Sequence, residues 1–388
     1  MKKVISIIAL VVLAGSVANA QLKNFKYDGM LDLHKYSNTN TADFNKAVND
    51  KTNDQDYRAN IGFNFEAGEG ANVQVNLIST AANNVEFGQA YLGIDNLLGI
   101  GHKFGRMFYG DQGDLVIYYG PDYWYVSDMP YTATEGWLGE YKYDKLTVNA
   151  LIAKEVDVKK DTYGADIDVY GVKANYPVND MINPTVYYYQ KADNTVAPLD
   201  RLNVMGAKIT GKYMGFEYAG EYAMNNGAET ATADYAGNAM KFNVGYGLDL
   251  MGKLNLGFEY LSTSGDDTSA DKDEEFFGIS SNYKPGFICG NFGAVIGDVT
   301  TWNIGADWNL EKVNKLTVGA KYFNFALTED KDKVGNELDI TAKWAHSENV
   351  TLGAYYAMFM IDSDYATVNL AGNDDNASQM GLFASVKF

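Results

Sequence analysis

One stretch of the chain, residues 109–131, combines aromatic rings with carboxylates at close spacing. Its rings and acids that could contact a solute are Asp111, Asp114, Tyr118, Tyr119, Tyr123, Trp124 and Tyr125. Aromatic rings bury flat area against sugars and other amphipathic molecules, and carboxylates accept hydrogen bonds from hydroxyl groups. The stretch is therefore a candidate binding site for hydrophilic solutes. Two other interpretations stay open: a surface loop that packs its own rings, or an aromatic girdle at a membrane interface.

Arginine is scarce, and two of the three arginines, Arg58 and Arg106, fall in segments that are candidate strands. A charged side chain that faces lipid near the middle of a membrane costs about 2–4 kcal/mol, so the interior of a barrel is the cheaper place for Arg58. There an arginine would either contribute to the electric field of a constriction or form ion pairs that make the wall rigid. We treat both arginines as candidate constriction residues.

The residue types that catalysis or metal binding requires are sparse. The chain has three histidines, one cysteine (Cys289) and no GxSxG motif, so no nucleophile can be matched with a base. A single cysteine excludes an intrachain disulfide and a CxxC metal site, and the acidic stretch 262–275 lacks the central glycine of a calcium loop. We predict no enzyme activity, no metal and no cofactor. A net charge of −19 disfavours nucleic acid as a partner.

The first twenty residues have the pattern of a secretory signal. Lys2 and Lys3 form a basic start, residues 4–13 are mostly apolar, and Ala18 and Ala20 provide small residues for cleavage. We predict that residues 1–20 are removed on export and that residues 21–388 form one domain. After the signal, no run of about twenty apolar residues occurs, which excludes a helical membrane protein. An exported soluble β protein and an outer-membrane barrel both remain open at this point.

Hydrophobic alternation separates these two classes. In residues 56–67, Ala59, Ile61 and Phe63 share one face, opposite Arg58 and Asn60. The same two-residue period recurs in residues 72–77, 214–222, 240–250, 254–260, 302–310 and 337–344. Segments of about ten residues with this period are typical of transmembrane barrels. Residues 99–108, 166–176 and 202–210 are ambiguous, and we assign no faces there.

The connections between these segments alternate between short turns, such as residues 67–70, and longer polar loops, such as residues 109–131. A barrel with both chain ends in the periplasm requires this alternation, although residues 81–84 are short where a surface loop is expected. With residues 275–283 assigned to a surface loop, the count is about 18 strands, and 16 is the alternative. We predict an all-β transmembrane antiparallel barrel with short periplasmic turns, long extracellular loops and a water-filled bore.

Residues 379–388 are predicted to close this barrel against residues 23–34. Their apolar face consists of Met380, Leu382, Ala384, Val386 and Phe388. Such a strand would be an aggregation hazard at the edge of a soluble sheet, whereas a closed barrel has no free edge and needs an outward apolar face for lipid. The aromatic residue Phe388 is similar to the signal that many such barrels present to the outer-membrane assembly machinery.

Several short motifs resemble the alginate-export family of outer-membrane porins. They are Ala90-Tyr91-Leu92, Gly105-Arg106, Tyr109-Gly110-Asp111, Leu115-Val116, Ser264-Gly265-Asp266-Asp267, Gly335-Asn336-Glu337-Leu338-Asp339 and residues 353–359. The resemblance implies a monomeric barrel of roughly 18 strands that passes sugar acids or related solutes across the outer membrane. The predicted lumen faces mix lysines with more numerous carboxylates, so alginate itself, a polyanion, does not follow as the solute.

These features predict an outer-membrane porin that allows passive diffusion, with or without selectivity, of sugars, sugar acids and ions. The alternative is a structural or adhesive surface barrel whose bore is plugged by residues 37–55 or 109–131. We expect a monomer surrounded by lipid and lipopolysaccharide, with weak selectivity for cations because acidic side chains outnumber basic ones on the predicted lumen faces. In this barrel, residues 109–131 are predicted to fold into the bore and narrow it.

Overall fold

The computed structural model describes residues 23–41, 44–48, 50–80, 85–156, 166–196, 200–229, 233–266, 271–290, 297–310, 315–370 and 372–388. The predicted export signal and the short connection 81–84 lie outside the described residues. Eighteen strands form one antiparallel sheet. They are β1 Lys23–Thr39, β2 Thr52–Gly68, β3 Ala71–Ser79, β4 Val85–Leu97, β5 Ile100–Met107, β6 Thr134–Tyr143, β7 Leu146–Val156, β8 Ile167–Asn175, β9 Asn183–Asp193, β10 Asp200–Tyr213, β11 Phe216–Asn226, β12 Asn238–Asp249, β13 Lys253–Thr263, β14 Thr300–Leu310, β15 Leu316–Ala326, β16 Lys333–Ala345, β17 Val350–Ile361 and β18 Ala377–Lys387.

The sheet closes on itself because β1 pairs with β18 as well as with β2. The register of this seam runs from Met30 opposite Lys387 to Thr39 opposite Ser378. A closed sheet leaves no edge strand with unpaired backbone groups, which is what allows strands to cross the hydrocarbon of a membrane. The prediction of an all-β antiparallel barrel with 18 strands is confirmed, and 16 strands is excluded.

Side chains alternate between the lipid-facing surface and the bore along these strands. At the seam, Met380 and Leu382 of β18 are 54% and 62% exposed on the outer surface. On β1, Leu33 faces outward, whereas Asp32 and His34 are buried inside the barrel. The apolar side chains of the outer surface are matched to lipid, so their exposure is the expected state for a membrane barrel.

Turns at one end of the barrel are short, as at residues 69–70 between β2 and β3. Gly70 has a φ of 69°, a conformation that glycine adopts without strain, and its carbonyl accepts the N–H of Asp95 at 2.7 Å. Connections at the other end are longer, and the one between β17 and β18 contains the helix α1, Ser363–Asn369. Asp362 caps α1 by accepting the N–H of Asp364 at 3.1 Å. No helix in the described ranges is long and apolar enough to cross a membrane.

Two long connections fold into the bore. We call residues 108–133 the first inward loop and the described residues of the connection between β13 and β14 (264–266, 271–290 and 297–299) the second inward loop. They pair inside the barrel, because the Tyr118 N–H donates to the Ser280 carbonyl at 2.7 Å and the Ser280 N–H donates to the Val116 carbonyl at 3.1 Å. Residues 275–283 thus belong to a connection and not to a barrel strand, but they do not lie at the surface. Phe276 and Ile279 are buried to 0% and 1% exposure.

Candidate constriction site

The first inward loop packs against one side of the bore. The hydroxyls of Tyr109 and Tyr189, a residue of β9, are hydrogen-bonded at 2.8 Å. Residues 115–117 are at most 3% exposed and form one apolar core with inward side chains of β7–β10 such as Val169 and Val204. We call the inner faces of β7–β10 the covered wall. Its apolar burial holds the loop across the bore.

The middle of the first inward loop carries an aromatic cluster. The ring of Trp124 stacks on Phe383 of β18 with centroids 4.1 Å apart, and meets Tyr355 of β17 edge-on at 5.2 Å. Tyr125 lies against Trp124 and stacks with Tyr123 at 5.1 Å. These contacts join the loop to the inner faces of the last two strands. The three consecutive rings are therefore fixed inside the barrel.

Arg58 holds the same loop from β2. Its Nη2 pairs with Asp32 Oδ2 at 3.1 Å, and its Nη1 donates to the Asp122 carbonyl at 2.8 Å. The residue is only 4% exposed, so its charge is enclosed by the wall and the loop. Of the two interpretations of Arg58, the geometry matches ion pairing that makes the wall rigid, and it also ties the loop to the wall. Removing one partner of such a buried pair leaves the other charge buried without compensation.

Two carboxylates of β16 hold the second inward loop. Glu337 is 0% exposed, and its two oxygens accept the backbone N–H groups of Ile288 and Cys289 at 2.7 and 2.9 Å. Asp339 Oδ2 accepts the N–H of Phe287 at 3.1 Å. Three consecutive backbone N–H groups of the turn therefore have acceptors on β16, which ties the turn to the wall.

A cavity of about 890 Å³ lies where the two loops meet the opposite side of the barrel. Tyr123, Trp124 and Tyr125 border it from the loop side, together with Phe287. The inner faces of β12–β15, which we call the open wall, border it from the other side. The charged groups around the cavity are Lys241, Lys284, Lys321, Lys343, Glu217, Glu259, Asp307 and Asp339.

Several of these charges are paired. Lys241 Nζ lies 3.5 Å from Glu259 and 3.9 Å above the ring of Tyr283 in the second inward loop. Lys284 Nζ lies 3.7 Å from Asp122. Cations and carboxylates therefore alternate around the cavity rather than forming one patch of a single sign. Such a site does not create a strong field for either sign of ion.

Burial keeps the rings of the first inward loop neutral. Burial, followed by the nearby charges of Asp122 and Glu259, raises the pKa of Tyr123 to about 12. The pKa of Tyr118 is also raised to about 12 by burial. Both hydroxyls therefore remain protonated at neutral pH and can donate hydrogen bonds.

Other predicted site residues of this loop have local structural contacts. Asp114 Oδ1 accepts the N–H groups of Val116 and Ile117 at 2.8 and 2.9 Å and so fixes a tight turn. The Tyr118 hydroxyl donates to the Pro121 carbonyl at 2.8 Å. Tyr119 is 0% exposed in the apolar core, and Asp111 is exposed on the far side of the turn. Of the predicted site residues, only Tyr123, Trp124 and Tyr125 border the cavity.

Arg106 lies apart from the site. Met107 is buried inside the barrel, so its neighbour Arg106 shares the outward face of β5 with Phe104, which is 42% exposed. Arg106 Nη1 pairs with Glu135 Oε1 of β6 at 2.7 Å, directly across the strand pair. Its charge is thus satisfied on the outer surface near the loop end of the barrel. The structure does not bring it together with the aromatic cluster.

Sequence reasoning missed the second inward loop as part of the site. Tyr283, Lys284 and Phe287 border the cavity from this loop. The signal was present, since residues 276–290 concentrate aromatic and branched apolar residues that a hydrated surface loop does not need.

Comparisons with known proteins agree on one class of barrel. The sequence profile of the family described as Gram-negative porin matches residues 6–286. The barrel is similar to OccK11 (OpdR) of Pseudomonas aeruginosa at 12% identity, with a TM-score of 0.62 and coverage of 96% of this chain and 99% of that chain. It is also similar to the outer membrane protein OprD of the same organism, at 13% identity, a TM-score of 0.60 and coverage of 96% of both chains. For OpdQ of that organism the identity is 14%, the TM-score 0.64 and the coverage 95% and 99%. No curated protein matches the chain.

These findings overturn the resemblance to the alginate-export family. The profile that matches describes a different family, and the similar structures are OprD and Occ channels. The short motifs misled because tripeptides such as Ala90-Tyr91-Leu92 recur in many barrels, where alternation and turn geometry select the same residue types.

Proposed function

The chain belongs to the Gram-negative porin family and is an outer-membrane porin for the diffusion of small hydrophilic solutes, and we propose that Tyr123, Trp124 and Tyr125 form its constriction. The observation that carries this proposal is their position at the edge of the cavity of about 890 Å³, facing the open wall. A solute that crosses the barrel by this route passes along the three rings. Tyr123 and Trp124 are partly exposed, whereas Tyr125 is 7% exposed and supports them. The exposed parts of the two rings offer apolar area to sugar rings and other amphipathic solutes without a fixed hydrogen-bond pattern.

The test of diffusion is the insertion of purified protein into planar lipid bilayers. Stepwise ion conductance is the expected result for an open bore. A barrel that is folded but silent would instead support a plugged structural or adhesive role. The near balance of lysines and carboxylates around the cavity supports weak charge selectivity, which the reversal potential in a salt gradient measures.

The test of the constriction is the substitution Tyr123→Ala. Tyr123 is partly exposed to the cavity and holds no strand of the barrel in place, so removing its ring should enlarge single-channel conductance. The matched control is Tyr143→Ala, since Tyr143 is 69% exposed at the end of β6 and lies outside the cavity. Conductance that stays the same in both variants would contradict a constriction at Tyr123.

We further propose that β18 is recognised by the outer-membrane assembly machinery and that the barrel is a monomer. The Phe388 N–H donates to the Gly29 carbonyl at 3.0 Å, and the Gly29 N–H donates to the Phe388 carbonyl at 2.8 Å. The ring of Phe388 lies over Gly29, where a side chain would collide with it. Deleting Phe388 should lower the amount of folded barrel and leave the conductance of the surviving molecules unchanged. Chemical cross-linking in membranes tests the monomer.

A further inference from the structure

Five side-chain amides lie on the bore-facing side of β2 and β3, between Arg58 at one end and Glu66 at the other. They are Asn60, Asn64, Asn72, Gln74 and Asn76, which we call the amide row. Their even numbering places them on the same face as Arg58, whose side chain is enclosed inside the barrel. From the first to the last member on each strand the row extends about 13 Å along the bore.

Hydrogen bonds connect the members of the row across the two strands. The Asn76 amide donates to Asn60 Oδ1, and the Asn64 amide donates to Gln74 Oε1 at 3.1 Å. Each primary amide has two N–H donors and a carbonyl oxygen with two lone pairs, so one such bond leaves most of its capacity for water or solute. Asn76 Oδ1 is buried and accepts no hydrogen bond within the described residues. Asn76 is only 4% exposed, so it is the other four amides, themselves neutral, that present donors and acceptors to the bore.

A second cavity, of about 450 Å³, lies at the end of the row that is nearest the short turns. Asn64 and Asn72 border it, together with Asn24, Lys26, Glu66 and Asp95. Its volume is within the range of about 300–1,000 Å³ that is usual for sites that hold small molecules. It opens at the end of the barrel with the short turns, because Gly70 of the turn between β2 and β3 also lines it.

Charged groups flank the row, namely Lys26, Glu66 and Asp95 at the second cavity and Asp28 beside Gly62. The open wall differs because lysines and carboxylates such as Lys321 and Asp307 alternate on the wall itself. Ions gain more from that wall than from neutral dipoles. A hydroxyl group, by contrast, is donor and acceptor at once and is matched by an amide on both counts. We propose that the amide row is a hydrogen-bonding track for neutral polyhydroxylated solutes, such as sugars and polyols, in the half of the bore that is nearest the short turns. This inference rests on the proposed passage of solutes through the barrel.

The experiment is block of ion current by sucrose in planar bilayers, with the double variant Asn64→Leu and Gln74→Met. The variant keeps side-chain size but removes both amides of one pair, so the sucrose concentration for half-maximal block should rise at least about fivefold. Asn309→Leu, which removes an amide from β14 elsewhere on the wall, is the matched control and should leave sucrose block unchanged. Block by glucuronate, a charged sugar of similar chemistry, should change less than block by sucrose.

A second variant keeps the proposal testable if the double variant misfolds. Asn72→Ala removes an amide that takes part in neither of the two amide pairs, and it should also weaken sucrose block. Cross-strand amide pairs also stabilise the pairing of the two strands, so their removal could lower thermal stability alone. If the variants lose only thermal stability and sucrose blocks them as it blocks the wild type, the track is refuted. A folded wild-type barrel without any conductance would contradict the proposed passage of solutes instead, so the two failures are distinguishable.

Discussion

On β7, β8 and β10, apolar side chains that point into the bore are covered by the inward loops, whereas glycines of β12, β13 and β14 line the cavity. Val169 and Val204 of the covered wall are 0% exposed. Gly245, Gly257 and Gly305 of the open wall are register neighbours on three adjacent strands, and all border the cavity of about 890 Å³. The strands have the same geometry in both regions, so the difference lies in what faces them.

The difference shows how the bore is shaped. The first inward loop needs an apolar partner for residues 115–117, and the covered wall provides it. Burial of apolar area at about 25 cal/mol per Å² makes that side the stable place for the loop. On the open wall, the missing side chains of the glycines widen the passage opposite the three rings. The bore is therefore displaced towards β12–β15.

The largest expected effect is the loss of folded barrel in the variant Val204→Asp, which tests this comparison. The new carboxylate would lie in the apolar core without a partner, and an uncompensated buried charge costs about 3–5 kcal/mol. The matched control, Asn243→Asp, adds the same charge to the open wall beside the cavity, where water can solvate it. We expect Val204→Asp to lose most of its folded barrel, measured by heat-dependent mobility on gels, while Asn243→Asp folds normally. Equal folding of the two variants would show that the loop does not depend on the covered wall.

The same contrast explains which parts of the fold the sequence could predict. Strands with clean alternation, such as β2 and β12, have water or polar groups on their inner faces. Residues 166–176 and 202–210 gave no clear faces because Val169, Leu202 and Val204 are apolar on the inside as well. On β8 and β10 the failure of alternation thus coincides with the wall that the first inward loop covers, whereas residues 99–108 also gave no clear faces without belonging to that wall. The number of strands and the closing strand depended only on the outer surface, which lipid makes regular.

The site was only partly predictable for a related reason. Rings in residues 109–131 indicated a role in the bore, but the sequence does not say which rings face the cavity and which enter the core, as Tyr119 does. That choice depends on the long-range pairing of the loop with Ser280. Glu337 and Asp339 looked like lumen charges open to solute, whereas they accept the backbone N–H groups of the second inward loop.

A smaller effect is expected from narrowing the open wall. A Cβ at Gly257 would meet no atom within 4 Å, so Gly257→Leu should fold while its side chain occupies the bore. We expect single-channel conductance to fall by tens of per cent. The control is Gly220→Leu, because Gly220 lies on the lipid-facing side of β11 next to Tyr222, which is 46% exposed, and its nearest neighbour is 3.8 Å from the new Cβ. A fall in both variants would mean that the glycines of β13 and its neighbours do not set the width.

A further contrast concerns how the two inward loops are held. Apolar burial, with Arg58, holds the first loop, whereas carboxyl groups of β16 hold the turn 287–289 of the second loop. The thiol reports on that turn alone because Cys289 is the chain's one cysteine. Burial, followed by the charges of Glu337 and Asp339, raises the pKa of the Cys289 thiol well above its usual value. Less thiolate is then present at neutral pH, and the native thiol should react slowly with maleimide.

Glu337→Gln keeps one acceptor oxygen but loses the charge and one of its two hydrogen bonds to the turn. The weakened tie is worth about 1–2 kcal/mol, so opening of the turn and labelling of Cys289 should be roughly 5–30-fold faster. Loss of the negative charge acts in the same direction, because it favours the thiolate. Glu217→Gln removes a carboxylate from the edge of the same cavity without touching the turn, and it should label at the native rate. If the two variants label equally, the second inward loop is held by packing in the same way as the first, and the contrast between the two loops disappears.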